Sequence, residues 1–127
     1  MFTCATESLL GTYRTQAPNG PARGIFQCEG NTFNDIFTNY LGYHANLFGL
    51  IVGLFNVHPP GVDELVTNDA AAISICRVHY LRCPESLPDS GDIEGIWNYY
   101  KQFYNSPLGA AQHDTSIQHY QELVLGT

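Results

Sequence analysis

The groups in this sequence best suited to acid–base chemistry are a carboxylate set among small residues and an amide that follows on a tight turn. Glu7 stands in Thr6-Glu7-Ser8, at the end of a short apolar stretch from Met1 to Leu10. A half-buried Glu loses solvation of its charged form, keeps its proton to higher pH and can donate it to a leaving-group oxygen. Gly24-Ile25-Phe26-Gln27 reads as a turn into an extended apolar pair ending in an amide. An amide can hold a sugar N-acetyl or hydroxyl group without competing for that proton. Phe103-Tyr104-Asn105 adds a phenol and a second amide near the far end of the chain. Ser8 suits either orienting Glu7 or bonding helix-end backbone. Gln27 suits a substrate contact, a bond to the Glu7 carboxyl, or the place of a satisfied buried amide. Glu29 is the natural second carboxylate for a hydrolytic reaction, or else a solvated loop charge. Taken alone, Glu7 would read as a capping residue or the partner of an Arg such as Arg14.

Other constellations point to less. Cys76, His79 and Cys83 fall at i, i+3 and i+7 on one helix face, as metal ligands could. No fourth ligand is signalled, so core packing is the reading, with no metal and no cofactor expected. His113, Asp114 and His119 are too loosely spaced to form a set, and no phosphate-binding loop is present.

Helical segments are expected to position these groups. Met1–Leu10 reads as a short helix carrying Glu7, with only six residues before it, so tertiary packing must hold it. Gly11–Arg23 reads as a loop. Thr32 with Asp35 resembles a helix start leading through Ile36, Phe37, Tyr40 and Leu41. Ala45–Phe55 reads as a helix apolar on nearly every side and therefore buried, ended by His58-Pro59-Pro60-Gly61. Val62–Arg82 reads as the longest helix, opened by Asp63 and Glu64 and closed by Pro84. Asp92–Tyr104 places Ile93, Ile96, Trp97, Tyr100 and Tyr104 on one face. Ser106-Pro107-Leu108-Gly109 breaks the chain before a last helix over Thr115–Leu125. The expectation is a single all-α domain over residues 1–127, α+β at most by a token hairpin near Gly24–Phe26.

Composition narrows the function classes. The formal net charge is −7 with only five Lys and Arg, which argues against nucleic-acid binding because nothing would neutralise phosphates. The longest apolar run, Leu47–Val57, is too short and glycine-broken to span a bilayer. With no basic or signal-length apolar stretch at its start, the chain reads as an unprocessed cytoplasmic product. Its four cysteines allow three pairings into two disulfides, but cytoplasmic synthesis favours free thiols packed in the core. The eight Tyr and seven Phe fit an aromatic core, a packing surface or a sugar-stacking groove.

The three ordered blocks, Glu7-Ser8, Gly24-Ile25-Phe26-Gln27 and Phe103-Tyr104-Asn105, resemble the Glu-Ser, Gly-Leu-Met-Gln and Ala-Tyr-Asn pattern of soluble lytic transglycosylases. Gly20–Glu29, Ala71-Ala72, Arg77–Arg82 and Tyr104–Gly109 look most like the small lysozyme-like domains carried by tailed phages and prophages, so the resemblance covers most of the chain. It implies a lysozyme-like fold, from whose pattern this chain departs by an unusually short segment before the catalytic-type Glu, which ends a full helix in the family. It implies cleavage of peptidoglycan between N-acetylmuramic acid and N-acetylglucosamine, with Glu7 as catalytic acid and then base. Ser8, Gln27, Glu29, Tyr104 and Asn105 are the expected substrate-binding residues, Tyr104 matching a tyrosine that bonds near the catalytic carboxylate. No second carboxylate is needed where the muramic acid's own hydroxyl attacks. Cys4 and Cys28 stand where such domains carry small or apolar residues. The implied setting is a phage protein made in the host cytoplasm, assembled into the virion with other virion proteins or as a homo-oligomer, and acting at the host cell wall. The alternative is a virion structural component of tail, tail-tip or internal type that keeps the fold with little or no activity. The acidic charge weighs against a free-standing lysin, since cell-wall polymers are also anionic.

Overall fold

The structure, a computed structural model, describes residues 1–15, 20–105 and 109–126. Six α-helices are described: α1 (Phe2–Ser8), α2 (Gly30–Asn39), α3 (Ala45–Val52), α4 (Asp69–Leu81), α5 (Ile93–Tyr100) and α6 (His113–Tyr120). Both α5 and α6 run on into a wider π turn, Lys101–Asn105 and Gln121–Leu125 respectively. No strand occurs among the described residues. An antiparallel bridge of Arg23 with Cys28 closes a small hairpin around Gly24–Gln27, and a second bridge joins Arg23 to Thr15. The protein is mostly helical, as its pattern of apolar positions requires. The expected chain break at Ser106-Pro107-Leu108 lies outside the described residues.

The apolar side chains gather into two clusters. One joins the hairpin to α2, α3 and α4 through Phe26, Phe33, Ile36, Ile51, Ile75 and Val78. The other is aromatic and joins α1, α5 and α6 through Phe2, Trp97, Tyr100 and Tyr120. Helix α1 lies between them, with Cys4 in the first cluster and Phe2 in the second, and Tyr104 packs against both. An isolated seven-residue helix does not persist in water. Here four consecutive residues, Phe2 to Ala5, are buried, so packing on two sides supplies what length does not.

Three expected elements differ from the observed ones. The helix expected over Val62–Arg82 is divided: a 3-10 segment, Val62–Val66, precedes α4. Glu64 turns its carboxylate back onto the Asn56 and Val57 amides, which donate to it at 2.7 and 2.9 Å, and onto Asn68 Nδ2 at 2.6 Å. Asn68 then caps a new helix by accepting from the Ala71 amide at 3.0 Å. Asp35 does not open α2, which begins at Gly30. It sits mid-helix, accepting from Asn39 Nδ2 and pairing with Arg82, each at 2.6 Å. Helix α3 was expected to be buried, yet Ile51 is its only buried residue, while Phe48 and Leu50 are exposed. Among the described residues, neighbouring elements touch it through contacts such as Phe37 against Phe48.

All four cysteines are free, three of them buried. Burial pushes the Cys28 and Cys76 thiols up to about 12, which makes them poor nucleophiles at neutral pH. No group of three or more His, Cys, Asp or Glu side chains suited to a metal occurs among the described residues. No described helix is long and apolar enough to cross a membrane.

Candidate active site

Glu7 occupies the last turn of α1, where the chain turns sharply. Leu9 and Leu10 both take positive φ, 50° and 54°, and Gly11 follows at 89°. Left-handed backbone at non-glycine residues is strained. Ser8 holds the bend: its Oγ accepts from the Gly11 amide at 2.8 Å and donates to the Ile25 carbonyl at 2.6 Å. The hydroxyl therefore fastens the end of α1 to the hairpin. Ser8 is buried and lines none of the described cavities, so its expected substrate contact gives way to this positioning role.

The hairpin is fixed just as tightly. Gly24 sits at φ +80°, and a Cβ there would stand 2.5 Å from the Leu65 carbonyl oxygen, so only glycine fits. Gln27, also at positive φ, donates its Nε2 hydrogens to the Gly24 carbonyl at 2.9 Å and the Tyr13 carbonyl at 3.3 Å. With both hydrogens committed to backbone, its Oε1 is the atom available to accept from a ligand.

These elements enclose a cavity of about 480 Å³ lined by Glu7, Gln27, Glu29, Tyr104 and Asn105, which lie far apart in the sequence. Cys28, Thr32 and His79 complete much of its wall. A second cavity of about 310 Å³ adjoins it, sharing Glu7, Asn105 and Ala110. Thr6, Gln112, Thr115 and His119 contribute to that second arm. Glu7 thus stands where two arms of one groove meet. Arg14, a conceivable partner for Glu7, instead makes a two-pronged ion pair with Asp69 at 2.6 and 3.3 Å.

The partner of Glu7 is Tyr100, whose hydroxyl donates to Oε1 at 2.6 Å. Burial holds the Glu7 carboxyl above the ordinary range, the Tyr100 bond opposes that shift, and the charge of Glu29 adds to it. Because Oε1 already accepts from Tyr100, the proton of the neutral acid belongs on Oε2. Tyr104, the expected neighbour of the carboxylate, donates instead to the Phe26 carbonyl at 2.6 Å. Its ring stacks on that of Tyr100, 6.0 Å away and 19° from parallel. Tyr104 therefore braces the hairpin, one helical turn beyond the residue that touches Glu7.

Two further residues were not legible as site groups. His79 donates from Nε2 to the Phe103 carbonyl at 2.9 Å, and burial depresses its pKa, so a neutral imidazole lines the groove. Thr6 Oγ1 is buried beside Glu7 and has no hydrogen-bond partner among the described residues. A buried hydroxyl left unpaired in the free protein is suited to pairing with a ligand. Asn105 is positioned by Lys101, whose Nζ donates to its Oδ1 at 2.8 Å and to the Gly109 carbonyl at 2.7 Å. In comparisons with protein-family models, curated proteins and solved structures, no match to this chain was found.

Proposed function

We propose that this protein cleaves the glycan strands of peptidoglycan between N-acetylmuramic acid and N-acetylglucosamine, with Glu7 as the catalytic acid. The observation that carries the reading is the position of a partly buried carboxyl, held above its ordinary pKa, at the junction of two groove arms. A polymer lying along both arms would present a linkage to Oε2 of Glu7. Gln27, Asn105 and Thr6 supply polar groups for hydroxyl and N-acetyl substituents. The order of the three sequence blocks and the helical architecture are consistent with a lysozyme-like fold of the kind carried by tailed phages. A virion-borne enzyme opening the host wall during infection is the corresponding setting.

In the transglycosylase version of the reaction, Glu7 Oε2 gives its proton to the glycosidic oxygen as the bond to the muramic acid C1 breaks. The departing strand leaves with a new hydroxyl. The resulting Glu7 carboxylate then takes the proton of the muramic acid C6 hydroxyl as that oxygen attacks C1, closing a 1,6-anhydro ring. Glu7 ends as it began, protonated. In the hydrolytic version a water attacks, and Glu29, on the same cavity wall, is the carboxylate available to activate it.

Mass spectrometry of purified peptidoglycan after digestion tests the proposal. Anhydro-muropeptides are expected, and reducing-end products would assign hydrolysis. Absence of both, from folded protein, would sink the enzymatic reading. One observation favours the second reading, a virion structural component: Tyr43, Leu50 and Val57 present exposed apolar surface within residues 36–62, which contain no Asp, Glu, Lys or Arg. Such surface commonly marks a contact with another protein.

A further inference from the structure

The ring of Tyr100 also borders a different cavity, of about 330 Å³, whose remaining walls come from the start of α1, the end of α4, residues 87–90, α5 and α6. Its chemistry is unlike that of the groove. Phe2, Tyr80, Tyr99 and Tyr120 supply aromatic surface, and Leu87 and Ile96 supply aliphatic surface. The rings form a packed set, with Phe2 5.2 Å from Tyr120 and 5.5 Å from Tyr100, and Tyr80 5.7 Å from Tyr99. Among the described residues no Asp, Glu, Lys, Arg or His side chain lines this cavity, so a charged ligand would find no side-chain counter-ion there.

Its hydrogen-bonding groups are hydroxyls, those of Thr3, Ser90 and the four tyrosines. Thr3 Oγ1 and the Tyr80 hydroxyl lie 2.6 Å apart. One donates to the other, which leaves the second hydroxyl with a hydrogen for a ligand acceptor. The Tyr99 hydroxyl is already committed to the Glu85 carbonyl at 2.8 Å. An apolar cavity of roughly 150 Å³ suffices for benzene, so this larger space suits a molecule of one or two rings. Largely apolar walls with few polar groups are typical of small-molecule sites.

We propose that this cavity binds a neutral, flat, one- or two-ring molecule carrying a hydrogen-bond acceptor, and that Tyr100 makes its occupancy felt at Glu7. The link is direct: the ring of Tyr100 forms part of the cavity wall, while its hydroxyl holds Glu7 Oε1 at 2.6 Å. A ligand that shifts the ring alters that bond. The site and its test do not depend on what the groove at Glu7 cleaves.

1-Indanone, a neutral fused bicycle with one ketone acceptor, is a suitable probe, titrated into the full chain and followed by NMR. Saturable shifts are expected at the Thr3, Leu87 and Ile96 methyl groups and at the Glu7 side-chain carboxyl. Leu87 is 55% exposed, so Leu87→Asp keeps the fold while adding a charge at the rim; it should weaken binding at least tenfold. In Tyr100→Phe the methyl shifts should persist and the Glu7 response should vanish. Shifts that never saturate, or equal affinity in Leu87→Asp, would overturn the site. A Glu7 resonance that stays fixed while the wild-type site fills would overturn the link.

Discussion

At the scale of single residues, the proposed chemistry rests on the Tyr100–Glu7 pair. The phenol donates to the carboxylate and so favours its charged form, against the burial that favours the neutral one. Tyr100→Phe removes the opposing influence, so the Glu7 pKa should rise further. A catalytic acid is active while protonated and fails as pH climbs through its pKa. The alkaline limb of the rate–pH profile should therefore move to higher pH in Tyr100→Phe, and a limb that stays or moves down would contradict the assignment. Thr6 offers a second residue-scale prediction. Thr6→Val keeps the shape and deletes the unpaired hydroxyl; if that hydroxyl serves the glycan, KM should rise roughly fivefold, the worth of one hydrogen bond of ~1 kcal/mol. Thermal stability should hold or improve slightly, because no intramolecular bond is lost. An unchanged KM would remove Thr6 from the site.

At the scale of elements, a strained bend and a glycine hairpin bring Glu7 and Gln27 to one wall. Gly24→Ala faces both a positive φ and the Leu65 carbonyl, so it should destabilise the fold by more than about 2 kcal/mol, measurable by denaturant unfolding. A loss below about 0.5 kcal/mol would mean that the hairpin moves freely. Three short sequence blocks, far apart in the chain, name Glu7, Gln27, Tyr104 and Asn105 as candidates, and one cavity gathers all four. Which tyrosine meets the carboxylate was not readable. Tyr100 and Tyr104 are four residues apart, hence on the same face of a regular helix. The π turn starting at Lys101 then changes the helical phase between them. Apolar spacing likewise signalled a helix through Val62–Arg82 but not its division, because that depends on Glu64 reaching back to amides near the end of α3.

For the whole molecule, the two apolar clusters meet at α1, which explains how so short a helix can carry the central carboxylate. The expected burial of α3 failed for a related reason: an apolar sequence records an affinity for cover, and the described residues bury only Ile51 of this helix. Net charge also acts at this scale. A chain of formal charge −7 is repelled by anionic wall polymers, and salt screens that repulsion. Under the proposed function, cleavage of whole sacculi should therefore quicken as ionic strength rises from about 10 to 150 mM, where the Debye length falls from roughly 30 to 8 Å. A rate that falls over this range would show that attraction, not repulsion, governs the encounter.

The central claim is that the partly buried carboxyl of Glu7 is the proton donor of a glycan-cleaving groove. The most direct test compares wild type with Glu7→Gln in the release of soluble fragments from purified sacculi, with folding of both verified by circular dichroism. Glutamine keeps the shape and cannot deliver the proton, so the account predicts a loss of on the order of 10²–10⁴-fold. Equal rates from the two proteins would contradict it.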